Sequence, residues 1–503
     1  MSNASVGMAL LLGCAMIGLS VGAKAAELRL IPFGGLSLAA TSNVFLDTTG
    51  RKEDFSSQVE AGFSFTANGA RFQANMQYTA DYLYFARTGR DKLQHDGSGI
   101  LRYALVPRIL QIEATGVVRE AFTSRAGVFS GSRANLAQGR QTIQSYQLGP
   151  DLSFRLGSLA EFQGQYRFSL TLNDSGRKSA PANRPVIPFS DSRGHQVSLD
   201  LAGSRDRLRR LEWRLFGRFN RTVRSRPPQD IPLAQPVLPV FQTAQGGLDL
   251  AYVLTRALRV EGSVGYFTTN TRFGTGRLRG LRWDAGLRLK GPRLELGARM
   301  GRRAGQTTIE ATSSYRILHL SVSARYTDIV GSSQQLLLDD ALRLTAPRLN
   351  ANQPVLPPGL TLEPNVPLLA PPGFDFSDRN FRQRRAAVEL AWNRRRESAQ
   401  VTGSWERRRF EDGSLARGFG IDLTFRHQMT KRATLVVETS LRHDRFETGA
   451  RTDDNLIVAT GGNWTITRNL TGEIRYTFSK RFSNLPDVTF AEHAVFAGLR
   501  IGL

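Results

Sequence analysis

The feature that most limits what this chain can fold into is a side-chain period of two, sustained over segment after segment. In Leu159–Leu172 (LAEFQGQYRFSLTL), Ala160, Phe162, Gly164, Tyr166, Phe168, Leu170 and Leu172 fall on one face. Glu161, Gln163, Gln165, Arg167, Ser169 and Thr171 fall on the other. The split recurs at Leu318–Thr327 and at Leu470–Ser479, whose apolar members are Leu470, Gly472, Ile474, Tyr476 and Phe478. Strands place successive side chains on opposite faces, whereas a helix would repeat every 3.6 residues. No stretch reads as an amphipathic helix. Beyond the first 25 residues no apolar run approaches the ~20 residues of a membrane-spanning helix. The chain is therefore read as all-β.

The turns repeat as well. LVPRILQIEATG (105–116), LTRALRVEGSVG (254–265), LKGPRLELGARMG (289–301), MTKRATLVVETS (429–440) and ITRNLTGEIRYT (466–477) each join two alternating segments through a tight basic turn. Between them lie longer connections at 125–141, 175–193 and 225–240, and a Pro-rich one at about 331–380. Short and long connections alternating along a meander are the pattern of an outer-membrane barrel. Counting segments predicts a single transmembrane antiparallel β-barrel of about 22 strands (range about 18 to 24), with the first strand at 35–46. Tyr82, Tyr84, Tyr103, Tyr252, Tyr266, Trp392, Trp405 and Tyr476 gather near strand ends, as interfacial girdles do. The rival, a secreted β-solenoid, would show shorter and more uniform repeats.

Charge and cysteine sharpen the compartment. Of 503 residues, 67 are Lys or Arg and 43 are Asp or Glu, a net charge of +24. The excess is spread along the chain, which argues against a basic tail and against a nucleic-acid partner. Residues 8–21 form an apolar run, and Ala23-Lys24-Ala25 follows as an A-x-A site, so residues 1–25 are expected to be a cleaved signal peptide. Leu11-Leu12-Gly13-Cys14 also resembles a lipobox, but the apolar run continues past Cys14. Cleavage after Ala25 removes the single cysteine, which leaves no thiol chemistry.

The polar face is expected to line the lumen. Its candidate residues pair by even spacing on single strands: Glu113 with Arg119, Glu161 with Arg167, Arg259 with Glu261, and Glu295 with Arg299. Arg385 with Glu389, Glu438 with Arg442, and Glu473 with Arg475 follow the same rule, and Arg325 lies on the same kind of face. Neighbouring strands would interlock such charges into ladders that order the interior. Arginines left over would instead make a positive passage for anions.

Catalytic readings are weak. His319-Leu320-Ser321 lacks the Asn-Gly that outer-membrane phospholipases place after His-x-Ser, and it sits beside a short turn. His443-Asp444 would be a dyad only if neighbouring strand residues shared a face, which they do not. There is no HExxH, nucleophile elbow or P-loop, and no cofactor or metal site is expected.

Thr41-Ser42-Asn43-Val44-Phe45-Leu46, then Asp54-Phe55-Ser56-Ser57-Gln58-Val59, then Phe72–Phe85, resemble a family of uncharacterised outer-membrane proteins associated with exopolysaccharide and PEP-CTERM gene clusters, close to the β-barrel porin families. The likeness is at motif level over about residues 30–120 and architectural beyond. It implies a Gram-negative outer-membrane barrel linked to polysaccharide secretion or biofilm matrix, with no catalytic residues to carry over. The chain departs from the usual insertion signal by ending in Leu503 rather than an aromatic, although alternation persists through Val495, Ala497, Leu499 and Ile501. The expected partners are outer-membrane lipid and lipopolysaccharide, the membrane's insertion machinery, and an anionic polysaccharide or small anions. The alternatives are a general or anion-preferring porin, and a structural or adhesive surface barrel.

Overall fold

The computed structural model describes residues 27–122, 130–132, 134–136, 140–174, 190–203, 210–225, 239–273, 276–336, 379–446 and 451–502. The signal-peptide segment lies outside them, as does most of 331–380. The first six strands are β1 (Glu27–Thr41), β2 (Asp54–Asn68), β3 (Phe72–Phe85), β4 (Arg90–Val106), β5 (Leu110–Phe122) and β6 (Arg140–Leu156). They are followed by β7 (Ala160–Asp174), β8 (Ser192–Gly203), β9 (Leu211–Arg224), β10 (Val240–Val253), β11 (Leu258–Phe273) and β12 (Gly276–Lys290). Next come β13 (Leu294–Arg303), β14 (Gln306–Ile317), β15 (Leu320–Ser332), β16 (Asn380–Arg394) and β17 (Glu397–Phe410). The meander ends with β18 (Leu415–Gln428), β19 (Ala433–Phe446), β20 (Arg451–Thr465), β21 (Leu470–Ser483) and β22 (Phe490–Gly502).

Each strand pairs antiparallel with the next, and β22 returns to β1 from Thr41 opposite Ala494 to Phe33 opposite Gly502. The result is a closed 22-stranded meander barrel, as the segment count predicts. Closure leaves no free sheet edge, which a membrane interior would not tolerate. The first strand differs from expectation, ending at Thr41 instead of continuing to residue 46. Leu46 has a positive φ of 56°, which a strand cannot use, and Asn43 turns the chain by bonding Asp47 through both its amide nitrogen (2.8 Å) and its oxygen (2.9 Å).

At one end of the barrel the connections run from two residues (318–319) to seven (204–210). Three of the repeated turns share one device. The hydroxyls of Thr255, Thr430 and Thr467 each accept backbone N–H bonds from two and three residues on, at 3.0–3.3 Å. A threonine that satisfies the turn's own donors fixes a tight reversal without glycine. Connections at the other end reach 333–379.

The two faces of the wall are unlike. Leu36 and Leu38 on β1, Leu281, Trp283 and Leu287 on β12, and Leu499 and Ile501 on β22 are large, apolar and exposed. The alternating neighbours Glu60, Glu113, Arg167 and Glu261 point inward. In water a continuous apolar exterior would cost about 25 cal/mol for every Å², so this surface is built for lipid.

Candidate functional site in the barrel interior

The inner wall is organised by ion pairs that skip a strand. Glu60 on β2 and Arg500 on β22 form a salt bridge across β1, and Gly35 stands opposite both. Glu113 on β5 meets Arg167 on β7 at 3.2 Å, with Gly149 of β6 between them. Glu261 on β11 accepts from Arg299 Nε on β13 at 2.9 Å, with Gly286 of β12 opposite both. Arg475 on β21 reaches Glu438 on β19 at 3.1 Å, passing over Gly461 of β20. Strands two apart are separated by ~9.6 Å, within reach of a Glu and an Arg most easily where the strand between carries no side chain. A Cβ at Gly286 would lie 2.5 Å from Arg299 Cγ, and one at Gly149 would lie 1.8 Å from the Tyr166 carbonyl oxygen. Glycine is thus the saddle on which each arginine lies.

Direct neighbours complete the ladders. Arg102 bonds Glu113 at 2.7 Å, Arg167 bonds Asp151 at 2.7 Å and Arg288 pairs with Glu261 at 3.3 Å, while Arg259 of β11 reaches Glu212 of β9 at 3.1 Å across β10. Arg214 is held by Asp249, Arg442 lies 3.7 Å from Asp422, and Arg408 forms an ion pair with Glu406 on its own strand at 2.5 Å. Such pairs are partly dehydrated and mutually hydrogen-bonded, so they fix the wall's shape more than they add free energy.

The even-spacing rule puts the predicted residues on inward strand positions, but the partners differ. Arg119 and Arg167 stand six residues from Glu113 and Glu161, ~20 Å along a strand, too far to meet. Arg119 is buried, and Glu161 accepts from Gln163 at 3.0 Å. Arg259 and Glu261 each turn to a different strand, as do Arg299, Glu438, Arg442 and Arg475. Glu295 faces Lys290, Arg385 faces Glu406, Glu389 faces Ser323, Arg325 faces Thr312, and Glu473 faces Asn463. Sequence reasoning missed Glu60, Arg102, Asp151 and Arg500. The available signal was a glycine at an inward position inside a strand, but using it requires the register.

The long-loop mouth carries a second arrangement. Glu492 of β22 is fully buried and accepts from Thr41 Oγ1 at 2.8 Å, from Asn135 Nδ2 at 3.4 Å and from Ser130 Oγ. The Gly131 amide donates to Ser479 Oγ on β21 at 3.1 Å, and the Leu136 amide donates to the Val44 carbonyl at 2.7 Å. Residues 130–136 belong to the β5–β6 connection, so this segment leaves its own hairpin and is tied to the β21–β22–β1 wall. On the opposite side, Arg224 of β9 donates to Asn380 Oδ1 at 2.6 Å and to Gln334 Oε1 at 3.4 Å. The described stems of 331–380 therefore turn inward over the mouth.

His443 bonds Asp454 at 2.7 Å on the outer face, while Asp444 is buried on the inner one, so the two adjacent residues form no dyad. His319 sits in the two-residue turn between β14 and β15. Among the described residues, no three His, Cys, Asp or Glu gather as metal ligands would.

Residues 385–503 match the family model described as Putative beta-barrel porin 2. That match spans about a quarter of the chain, which as a whole is an outer-membrane β-barrel. Among solved structures, this barrel is similar to the ferric enterobactin receptor PfeA of Pseudomonas aeruginosa. The TM-score is 0.50 at 9% identity, covering 94% of this chain and 81% of that one. The siderophore receptor PirA from the same organism gives 0.46 at 9% identity over 94% and 80%. The iron transporter FrpB from Neisseria meningitidis gives 0.47 at 9% identity over 94% and 82%. At such identities the likeness is one of fold. No curated protein matches the chain.

Proposed function

We propose that this porin-like barrel is a non-enzymatic conduit of the outer membrane that takes part in exopolysaccharide export or biofilm matrix secretion, with an anionic polysaccharide as its cargo. The observation that carries this reading is the latched mouth. A segment that leaves its own hairpin and is bonded to the β21–β22–β1 wall through Glu492 suits a gate that yields to one cargo better than a permanently open sieve. The interior adds support. Fixed guanidinium groups alternate with carboxylates and hydroxyls, and such a wall can exchange hydrogen bonds with a sugar polymer's hydroxyls and carboxylates as it moves. A second reading, a general or anion-preferring porin, is favoured by the family match over residues 385–503. Export from the cell with cleavage after Ala25 belongs to the same proposal.

Single-channel recording in planar bilayers tests it. Export predicts low resting conductance that rises, or is blocked in bursts, when an anionic polysaccharide is added. A stable open pore indifferent to polymer would replace export with the porin reading, and silence under both conditions would remove transport altogether. Deleting 331–380 should raise conductance, and unchanged current would exclude that segment as an obstruction.

A further inference from the structure

The short turns at one end of the barrel carry apolar and cationic side chains in a fixed order. The three threonine-fixed turns open Leu254-Thr255-Arg256, Met429-Thr430-Lys431 and Ile466-Thr467-Arg468, each with an apolar residue first and a cation third. Leu254, Met429 and Ile466 are 47%, 57% and 39% exposed, and Leu254 and Ile466 continue the outward positions of Tyr252 and Trp464. Leu318, in the two-residue β14–β15 turn, is 92% exposed and holds a positive φ of 44°. Arg108, between β4 and β5, holds a φ of 68°. Glycine is the ordinary residue in that region, so a leucine and an arginine there cost strain that only a contact of their side chains would offset. The cations are densest along one arc. Arg395 and Arg396 of the β16–β17 turn, Lys431 and Arg432 of the β18–β19 turn, and Arg468 of the β20–β21 turn are all exposed. These successive turns stand two strand spacings apart, ~9.6 Å. Among the described residues of the short turns there is no Asp or Glu, and Glu397, which opens β17, lies 3.3 Å from His427 of β18.

We propose that this arc binds the headgroups of anionic phospholipids in the periplasmic leaflet. Short turns of an outer-membrane barrel face the periplasm, and reversals of two to four residues hold their side chains close to the membrane surface. A leucine exposed as fully as Leu318 is unfavourable in water and favourable at the boundary between headgroups and acyl chains. A cation two positions beyond such a residue then stands at phosphate height, where a guanidinium donates paired hydrogen bonds to phosphate oxygens. The spacing of the turns lets one headgroup meet cations from two of them. The apolar residue that opens each threonine-fixed turn favours lipid over a soluble polyanion, which would leave it in water. The inference rests on the outer-membrane reading of the barrel, with the short turns at the periplasm, and not on its cargo.

The test uses the full-length barrel in mild detergent, with phosphatidylglycerol and phosphatidylethanolamine of the same acyl chains as probes. Each cation beside an anionic lipid surface strengthens binding about fivefold, so native mass spectrometry should show phosphatidylglycerol held at least about tenfold more tightly. Lys431→Gln with Arg432→Gln should remove most of that preference, while Arg51→Gln with Lys52→Gln at the opposite mouth should keep it. Equal retention of the two lipids, an unaffected turn variant, or the same loss in both variants would each overturn the site. Inorganic phosphate and a soluble anionic polysaccharide serve as competitors. Displacement by the first as readily as by lipid would reduce the arc to a general anion site, and displacement by the second would make it an entrance for polymer, so either result overturns the lipid assignment. Depth is read separately, in vesicles. The fluorescence added by Leu318→Trp should be quenched by phospholipids brominated near the headgroup and shielded from iodide, whereas quenching by iodide alone would place the turns in water and refute the proposal. Heat-modifiable migration of the same preparations separates the failures. A protein that migrates as a barrel yet shows no preference refutes the lipid site alone, and one that does not migrate as a barrel refutes the outer-membrane reading.

Discussion

Single side chains hold the mouth. Glu492 accepts from three side chains, two of them on the β5–β6 connection, and replacing it leaves those donors buried without their acceptor. A hydrogen bond to a charged group contributes about 1.5–3 kcal/mol. Glu492→Ala is therefore expected to raise open-state occupancy in single-channel recording by at least about tenfold, and unchanged gating would mean the latch does not control the pore. The β17–β18 turn responds to acid. Burial opposes the charge of Asp412, but bonds from the Ser414 amide (2.8 Å) and hydroxyl and from Arg379 (3.1 Å) hold its carboxyl below the usual range. Its neighbour Glu411 is pushed up by burial against the pull of Asn380. A carboxyl depressed in the folded state stabilises the turn at neutral pH, and that contribution is lost as pH falls through the depressed value. Protection of the Ser414 amide, its exchange relative to the intrinsic rate at each pH, should fall over that acid range in the native protein and should be low at every pH in Asp412→Asn.

At the scale of strands, alternation was enough to place the third strand within a residue of Phe72–Phe85 and to give a total of about 22. It also sorted Arg167 from Phe168, because the rule is local and each strand obeys it alone. Two kinds of fact escaped it. Partner choice depends on register: even spacing along one strand matches Glu113 to Arg119, whereas its guanidinium partners lie one and two strands away, at Arg102 and Arg167. The segment around Asn43 keeps strand-like composition but leaves the sheet, because its amide finds backbone partners at Asp47 and Ala491. The saddle glycines belong to this scale too. Gly149 interrupts β6–β7 pairing together with Pro150, and no side chain fits against the Tyr166 carbonyl. Gly149→Ala is expected to cost about 1–3 kcal/mol by overpacking, seen as a lower temperature of conversion to the unfolded band on gels. A Gly→Ala change at Gly403, where a Cβ would meet nothing within 4 Å, should leave that temperature unchanged.

For the whole molecule, part of the basic excess behind the net charge of +24 is held in the inner wall beside carboxylates, as Arg102 and Arg167 are beside Glu113. The closure of the barrel is clamped from within by Arg500, which bonds Glu60 and lies 4.8 Å from the Phe33 ring centre. Arg500→Ala should lower the conversion temperature and raise the fraction that never closes during refolding into detergent, and an unaltered folded yield would show the clamp to be redundant. The wall also has a thin place. β14 and β15 pair only from Ile317 opposite Leu320 to Ala311 opposite Tyr326, whereas β15 and β16 pair up to Ser332. Above Tyr326 the gap is crossed by Arg382, which donates to the Thr307 carbonyl at 2.8 Å and to Asp328 at 2.6 Å. One guanidinium thus does the work of the absent backbone rungs. At that height the integrity of the wall rests on one side chain, so a single substitution loosens what elsewhere takes a whole ladder.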